Sequence, residues 1–141
     1  MKNLKPLEVT KEYYHNILNM LPTDKRVYVY DEVISDKYYL VFDGLPIGGF
    51  TTNYNGELNG LFSLKRGLGR EIFKLRLVQA KKDCKGECNL HLFCIGDFLK
   101  DLYREFDFKV DEVIEWDDTL SPKGWNYEKQ GRPTLYTMSL A

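Results

Sequence analysis

At 141 residues the chain has room for one domain with a real hydrophobic core, taken here as residues 1–141. Its 43% hydrophobic and 14% aromatic content excludes a disordered chain, and twenty basic against twenty-one acidic side chains (net charge −1) leave no basic excess of the kind that grips duplex nucleic acid. No apolar run approaches the ~20 residues of a membrane helix and Met1–Pro6 lacks a signal-peptide apolar segment, so a cytoplasmic protein without a membrane partner is expected.

The first periodic segment runs from Thr10 to Leu21. Thr10 is a capping residue, Tyr14, Ile17, Leu18 and Leu21 share one helical stripe, and Pro22 closes the helix. Val27–Tyr30 reads as a strand. Tyr38–Phe42 and Ile47–Thr52 are strand-like runs around Asp43-Gly44, a hairpin signal, and Asn55-Gly56 turns the chain into a fourth strand over Leu58–Phe62.

Then the pattern changes. Ser63-Leu64-Lys65-Arg66-Gly67-Leu68-Gly69-Arg70 is a basic, glycine-containing loop that opens a helix over Glu71–Lys82, with Ile72, Leu75 and Val78 on its buried side. Lys85-Gly86 ends that helix. Cys88–Ile95 reads as a buried strand broken by Gly96, and Asp97 caps a helix over Phe98–Phe106. Lys109–Trp116 and Thr134–Leu140 are the closing strands, with a long polar loop between them. This order predicts an α/β (α+β) domain: a mixed, mostly antiparallel sheet of six or seven strands with helices on both faces.

The loop at 63–70 is the segment that suggests chemistry. Glycines let a backbone approach an anion closely, and the following helix aims unpaired N–H groups at it. Lys65, Arg66 and Arg70 add positive charge. Taken alone, Gly-x-Gly before a helix is also the signature of a plain tight turn. It is not a P-loop, because no Gly-Lys-Ser/Thr follows, and a dinucleotide fold is excluded by the preceding hairpins and the missing third glycine.

With the elements around it, the loop resembles that of the GNAT (Gcn5-related N-acetyltransferase) family. There a strand delivers Gln/Arg-x-x-Gly-x-Gly/Ala onto a long helix, and a strand and second helix follow with a Tyr ahead of a Gly-Phe pair. Gly67-Leu68-Gly69 is similar to the first motif and Leu102-Tyr103-Arg104-Glu105-Phe106-Asp107-Phe108 to the second. The resemblance covers about residues 10–116 by element order, and the block from Trp125 to Pro133 resembles small phage-encoded members. Leu64, Gly96 and Asp107 depart from the family, which places Gln or Arg, Asn and Gly at those positions.

The resemblance implies acetyl-coenzyme A as co-substrate, held by Leu61, Phe62, Ser63, Lys65, Arg66, Gly67, Leu68, Gly69 and Arg70, with its pantetheine arm between strands Leu58–Phe62 and Cys88–Ile95. The implied reaction is acetyl transfer to an amine of a small molecule or protein. It makes Tyr103 the general acid on the departing thiolate, against a plain reading as a buried helix aromatic. Glu57 is the first candidate base, with Asp117 and Asp118 behind it, each of them also readable as a solvated carboxylate. The departures keep a second class open: a GNAT-like binding module or inhibitor without catalysis.

Cys84, Cys88, His91 and Cys94 superficially suggest zinc. Strand alternation sets Cys88 and Cys94 on one face and His91 on the other, so no metal is expected and free structural thiols are. His15 reads as an ordinary helix residue. Trp116, Trp125, Tyr127 and Tyr136 are either an acceptor wall or core and loop anchors.

Overall fold

The computed structural model describes residues 4–22, 32–86, 88–122 and 124–140. Thr10 does what its side chain suits it for: Oγ1 accepts the N–H of Tyr13 at 3.1 Å and starts α1 (Lys11–Leu18). Tyr14 and Leu18 are buried along its stripe, and Leu21 beyond its end. The expected strand Val27–Tyr30 lies outside the described residues.

Four antiparallel strands form the first sheet in the order β1-β2-β3-β5: β1 (Lys5–Val9), β2 (Lys37–Asp43), β3 (Leu45–Thr52) and β5 (Phe62–Ser63). The Asp43-Gly44 hairpin is present as expected, and β1 adds an edge strand beyond those expected. Tyr38, Leu40 and Phe62 face α1, while Tyr39, Val41, Ile47 and Phe50 face α2 (Gly69–Asp83) through Ile72. Helices therefore cover both faces, as the alternation of β2 requires.

The second sheet holds β4 (Glu57–Leu58), β6 (His91–Ile95), β8 (Leu135–Leu140) and β7 (Phe108–Ile114) in the order β4-β6-β8-β7. Among the described strands of this sheet, β4 and β6 pair in parallel and the other pairings are antiparallel. Leu58, Leu92, Cys94, Tyr136 and Met138 pack with Phe73 and Ala80 of α2 and Tyr103 of α3 (Asp97–Arg104). Burying a side chain such as Phe73 contributes about 1.5–3 kcal/mol. Because Ile72 and Phe73 serve different clusters, α2 joins the two sheets.

Four expectations are corrected. The single strand Leu58–Phe62 is two, β4 and β5, in different sheets, because the chain changes partner between them. The buried stripe of α2 is Ile72, Phe73, Arg76 and Ala80, and Val78 is 56% exposed, because Phe73 and Ala80 turn the helix toward the second sheet. The sixth strand begins at His91, since Cys88 is held in the preceding loop. There it is disulfide-bonded to Cys84 (Cα–Cα 5.9 Å), and Cys94 alone is a free, buried thiol. No described helix is long and apolar enough to cross a membrane.

Candidate active site at the sheet split

After Leu58 the chain leaves β6, and from Phe62 it pairs with β3, so β5 and β6 are not hydrogen-bonded neighbours. Asn59-Gly60-Leu61 make the change. Gly60 adopts φ +68, a left-handed conformation that glycine supplies without strain. Buried donors hold the carbonyls of this segment from behind. Tyr14 donates its hydroxyl to the Gly60 carbonyl, and Arg76 and Thr51 donate to that of Asn59. The amides of Gly60 and Leu61 donate to no acceptor among the described residues.

Downstream of β5 the chain enters the basic loop. Ser63 Oγ donates to the Lys65 carbonyl at 2.6 Å, and Gly67 turns with φ +84 into α2. Leu68, at the N-cap position, offers no side-chain acceptor, so the first-turn amides of a 15-residue helix are left uncapped. Nothing lies within 4 Å of where a Cβ would stand on Gly67 or Gly69. Lys65 and Arg66 are exposed and, among the described residues, not ion-paired, while Arg70 bonds Glu105 at 3.0 Å. Leu64 packs against the α1 cluster, which explains why no cation stands there. An open, uncapped helix start flanked by cations fits an anionic ligand.

α3 reaches the same region, as the Arg70–Glu105 pair shows. Its Tyr103 is 9% exposed and stacks on Phe73, centroids 4.9 Å apart. The hydroxyl makes no hydrogen bond among the described residues, yet it is not sealed from solvent. Burial raises the Tyr103 phenol above its ordinary range; the Arg76 charge pulls against that rise and Cys94 adds to it. Asp107 turns the chain after α3 at φ 69, the conformation that explains a glycine at this place in the family pattern. Gly96 occupies the N-cap of α3 at φ 88, with its N–H on the Thr134 carbonyl at 2.8 Å.

The other candidates fall in different places. Glu57 is exposed at the start of β4, and strand alternation sets it on the face opposite Leu58, which packs in the cluster holding Tyr103. Asp117 caps a short turn by accepting from Thr119, and Asp118 is paired with Arg132 at 2.9 Å. Trp116, Trp125 and Tyr127 gather in the loop before β8, the two indoles 4.7 Å apart. Tyr136 does not join them, because its hydroxyl bonds Asp97. His15 accepts from the Val33 amide and is structural. Arg76, buried on α2 with a hydrogen bond to the Asn59 carbonyl, is a site residue that the sequence does not mark, since a helical arginine ordinarily reads as solvated.

No family model matches the chain, and no curated protein does. Solved structures do resemble it along its whole length. An IAA acetyltransferase from Bacillus cereus superposes with a TM-score of 0.64 at 14% identity, covering 98% of this chain and 99% of that one. A GNAT family acetyltransferase from Elizabethkingia anophelis, solved with acetyl-CoA bound, gives 0.63 at 15% identity and 99% of both chains. A GNAT acetyltransferase from Streptococcus pneumoniae gives 0.63 at 14% identity, over 99% of this chain and 100% of its own. At such identities the likeness concerns backbone architecture, and by that architecture the chain has the fold of the GNAT acetyltransferases.

Proposed function

We propose that this chain is an acetyl-coenzyme A-dependent N-acetyltransferase acting on an amine of a small molecule or a protein. The observation that carries the reading is the coincidence, around one split between two sheets, of an uncapped helix start with amides at Gly60 and Leu61 and a Tyr103 hydroxyl that have no hydrogen-bond partner among the described residues. The amides of Gly67–Glu71 bind the pyrophosphate, aided by Lys65 and Arg66, and Leu61, Phe62 and Ser63 line the pantetheine arm along β5. The Gly60 and Leu61 amides polarise the thioester carbonyl.

In the transfer the amine nitrogen forms a bond to the acetyl carbon as the carbon–sulfur bond breaks. Tyr103 gives its proton to the departing thiolate and recovers one from solvent. The acceptor nitrogen loses its proton to solvent water, since Glu57 stands on the face opposite the Tyr103 cluster. Holding the reactants together supplies a large part of the acceleration.

Tyr103→Phe keeps the stack on Phe73 and removes only the hydroxyl. The expected result is a fall in kcat of about 10²–10⁴-fold with coenzyme A affinity within twofold. Unchanged turnover would show that water protonates the thiolate. A second reading is favoured by one observation: Arg70 of the loop is engaged with Glu105. On that reading the chain is a non-catalytic binding module. A wild-type protein that binds acetyl-coenzyme A yet acetylates none of a panel of amines and peptides would establish it.

A further inference from the structure

Arg76 is the most heavily buried charge among the described residues, 2% exposed in the middle of α2. Among those residues no carboxylate lies within ion-pair distance of it, and its Nε has no hydrogen-bond partner. What the guanidinium does touch is the Asn59 carbonyl, through one terminal nitrogen, and the face of Phe73, 5.8 Å from the ring centroid. Phe73 carries Tyr103 stacked on it at 4.9 Å. A lone charge removed from water costs several kcal/mol unless something nearby compensates it. A methionine or leucine would fill the same space without that cost.

We propose that Arg76 is the electrostatic partner of Tyr103: the buried, uncompensated guanidinium stabilises the negative charge left on the phenol oxygen when it gives up its proton. The proposal rests on the acetyl-transfer reading for its use, while the coupling itself is a property of the protein alone. In the transfer step Tyr103 becomes a phenolate in a nearly dry cluster, and without a nearby cation that state is strongly disfavoured. Arg76 is thus a positioning residue, acting through Tyr103 and through the Asn59 carbonyl.

The surrounding groups do not take over the role. Tyr14 of α1 shares Arg76 with Tyr103 and is itself raised by burial; Tyr38 of β2 stands beside it and adds to the rise. Burial pushes the Cys94 thiol of β6 up to about 12, so it stays neutral, with Lys100 of α3 pulling weakly the other way. Burial also draws the Arg76 guanidinium down to about 10, against the upward pull of the two phenols, which leaves it charged at neutral pH.

The test places 3,5-difluorotyrosine at position 103 of the full chain. Its phenol is more acidic than that of tyrosine, and its titration is read by fluorine NMR while Arg76 is still charged. Arg76→Gln keeps an N–H for the Asn59 carbonyl, and Arg76→Met removes both charge and donor. Both variants are expected to raise the phenol midpoint by about one pH unit or more, tenfold in ionisation, and by equal amounts. A midpoint that stays put in a folded variant, or that moves only in Arg76→Met, would overturn the proposal and leave Arg76 as a strut for the Asn59 carbonyl. If Arg76→Gln fails to fold, Arg76→Lys takes its place beside Arg76→Met: it keeps the charge and is expected to hold the midpoint near the wild-type value while Arg76→Met raises it, and equal rises in both would overturn the proposal. A raised midpoint in a protein that acetylates nothing supports the coupling and removes the transfer reading, so the two failures are distinct.

Discussion

A side chain added at Gly69 meets nothing of the protein within 4 Å, and its φ is not in the left-handed region, so Gly69→Val leaves the fold intact. The space it fills is the space in front of the uncapped amides of α2. The expected outcome is loss of coenzyme A binding by at least tenfold in calorimetry, with an unchanged circular dichroism spectrum. Unchanged affinity would remove the loop from the site. Gly67 is a poorer probe, since at φ +84 any substitution also strains the backbone by about 1–2 kcal/mol. At this scale the sequence is legible in the backbone: Gly67 and Gly69 open α2 and Tyr103 lies on α3, the elements that the periodicity predicts. It is less legible at Arg76, because an arginine on an amphipathic helix reads as solvated until the tertiary packing is known. The pairing of Cys84 with Cys88 is likewise hidden, because an odd cysteine count fits free thiols as well as one bridge.

α2 runs from the candidate site to a buried anchor at its far end. Asp83, with a side chain 7% exposed, accepts hydrogen bonds from Tyr39, Thr52 and Gln79 and faces Lys37 at 3.6 Å. Burial by itself would raise its carboxyl, but those three hydrogen bonds and the lysine charge outweigh burial and hold it below the ordinary range. A depressed folded value contributes stability that is fully present above the unfolded value, about 3.9, and is lost as pH falls through the folded one. The wild type is therefore expected to lose stability progressively below about pH 4, while Asp83→Asn, less stable at pH 7 by roughly 1–3 kcal/mol, loses less over the same interval. Urea melts at pH 3 and pH 7 measure both, and parallel losses in the two proteins would mean the anchor lies elsewhere. Helix α2 and the strands beside it are legible from periodicity alone. The division of Leu58–Phe62 into β4 and β5 is not, because Asn59-Gly60 marks a turn within these five residues but not which neighbour each half will pair with.

Across the whole molecule, the two sheets meet through α2 and through the Asn59–Leu61 segment, and between β5 and β6 no ladder holds them together. A ligand that occupies this split touches both halves, so its binding free energy adds to the stability of the whole. At a concentration one hundred times its Kd the gain is about 2.7 kcal/mol. For a domain of this size that corresponds to a rise in Tm on the order of 10 °C. Acetyl-coenzyme A is expected to produce this shift in the wild type and none in Gly69→Val. Part of the gain should fade with added salt, since Lys65 and Arg66 are exposed and their attraction to phosphate is screened. Hydrogen exchange gives the location: slowed amides at 60–63 and 67–71, with the outer strands β1 and β7 unaffected. The Tm shift alone does not separate a split-bound ligand from one held only by the loop. Protection confined to 67–71 would put the pyrophosphate on α2 and leave the acetyl group outside the split, out of reach of Tyr103. Protection at Gly60 and Leu61 as well places the thioester against the two amides whose carbonyls Tyr14 and Arg76 turn inward, which is the arrangement transfer requires.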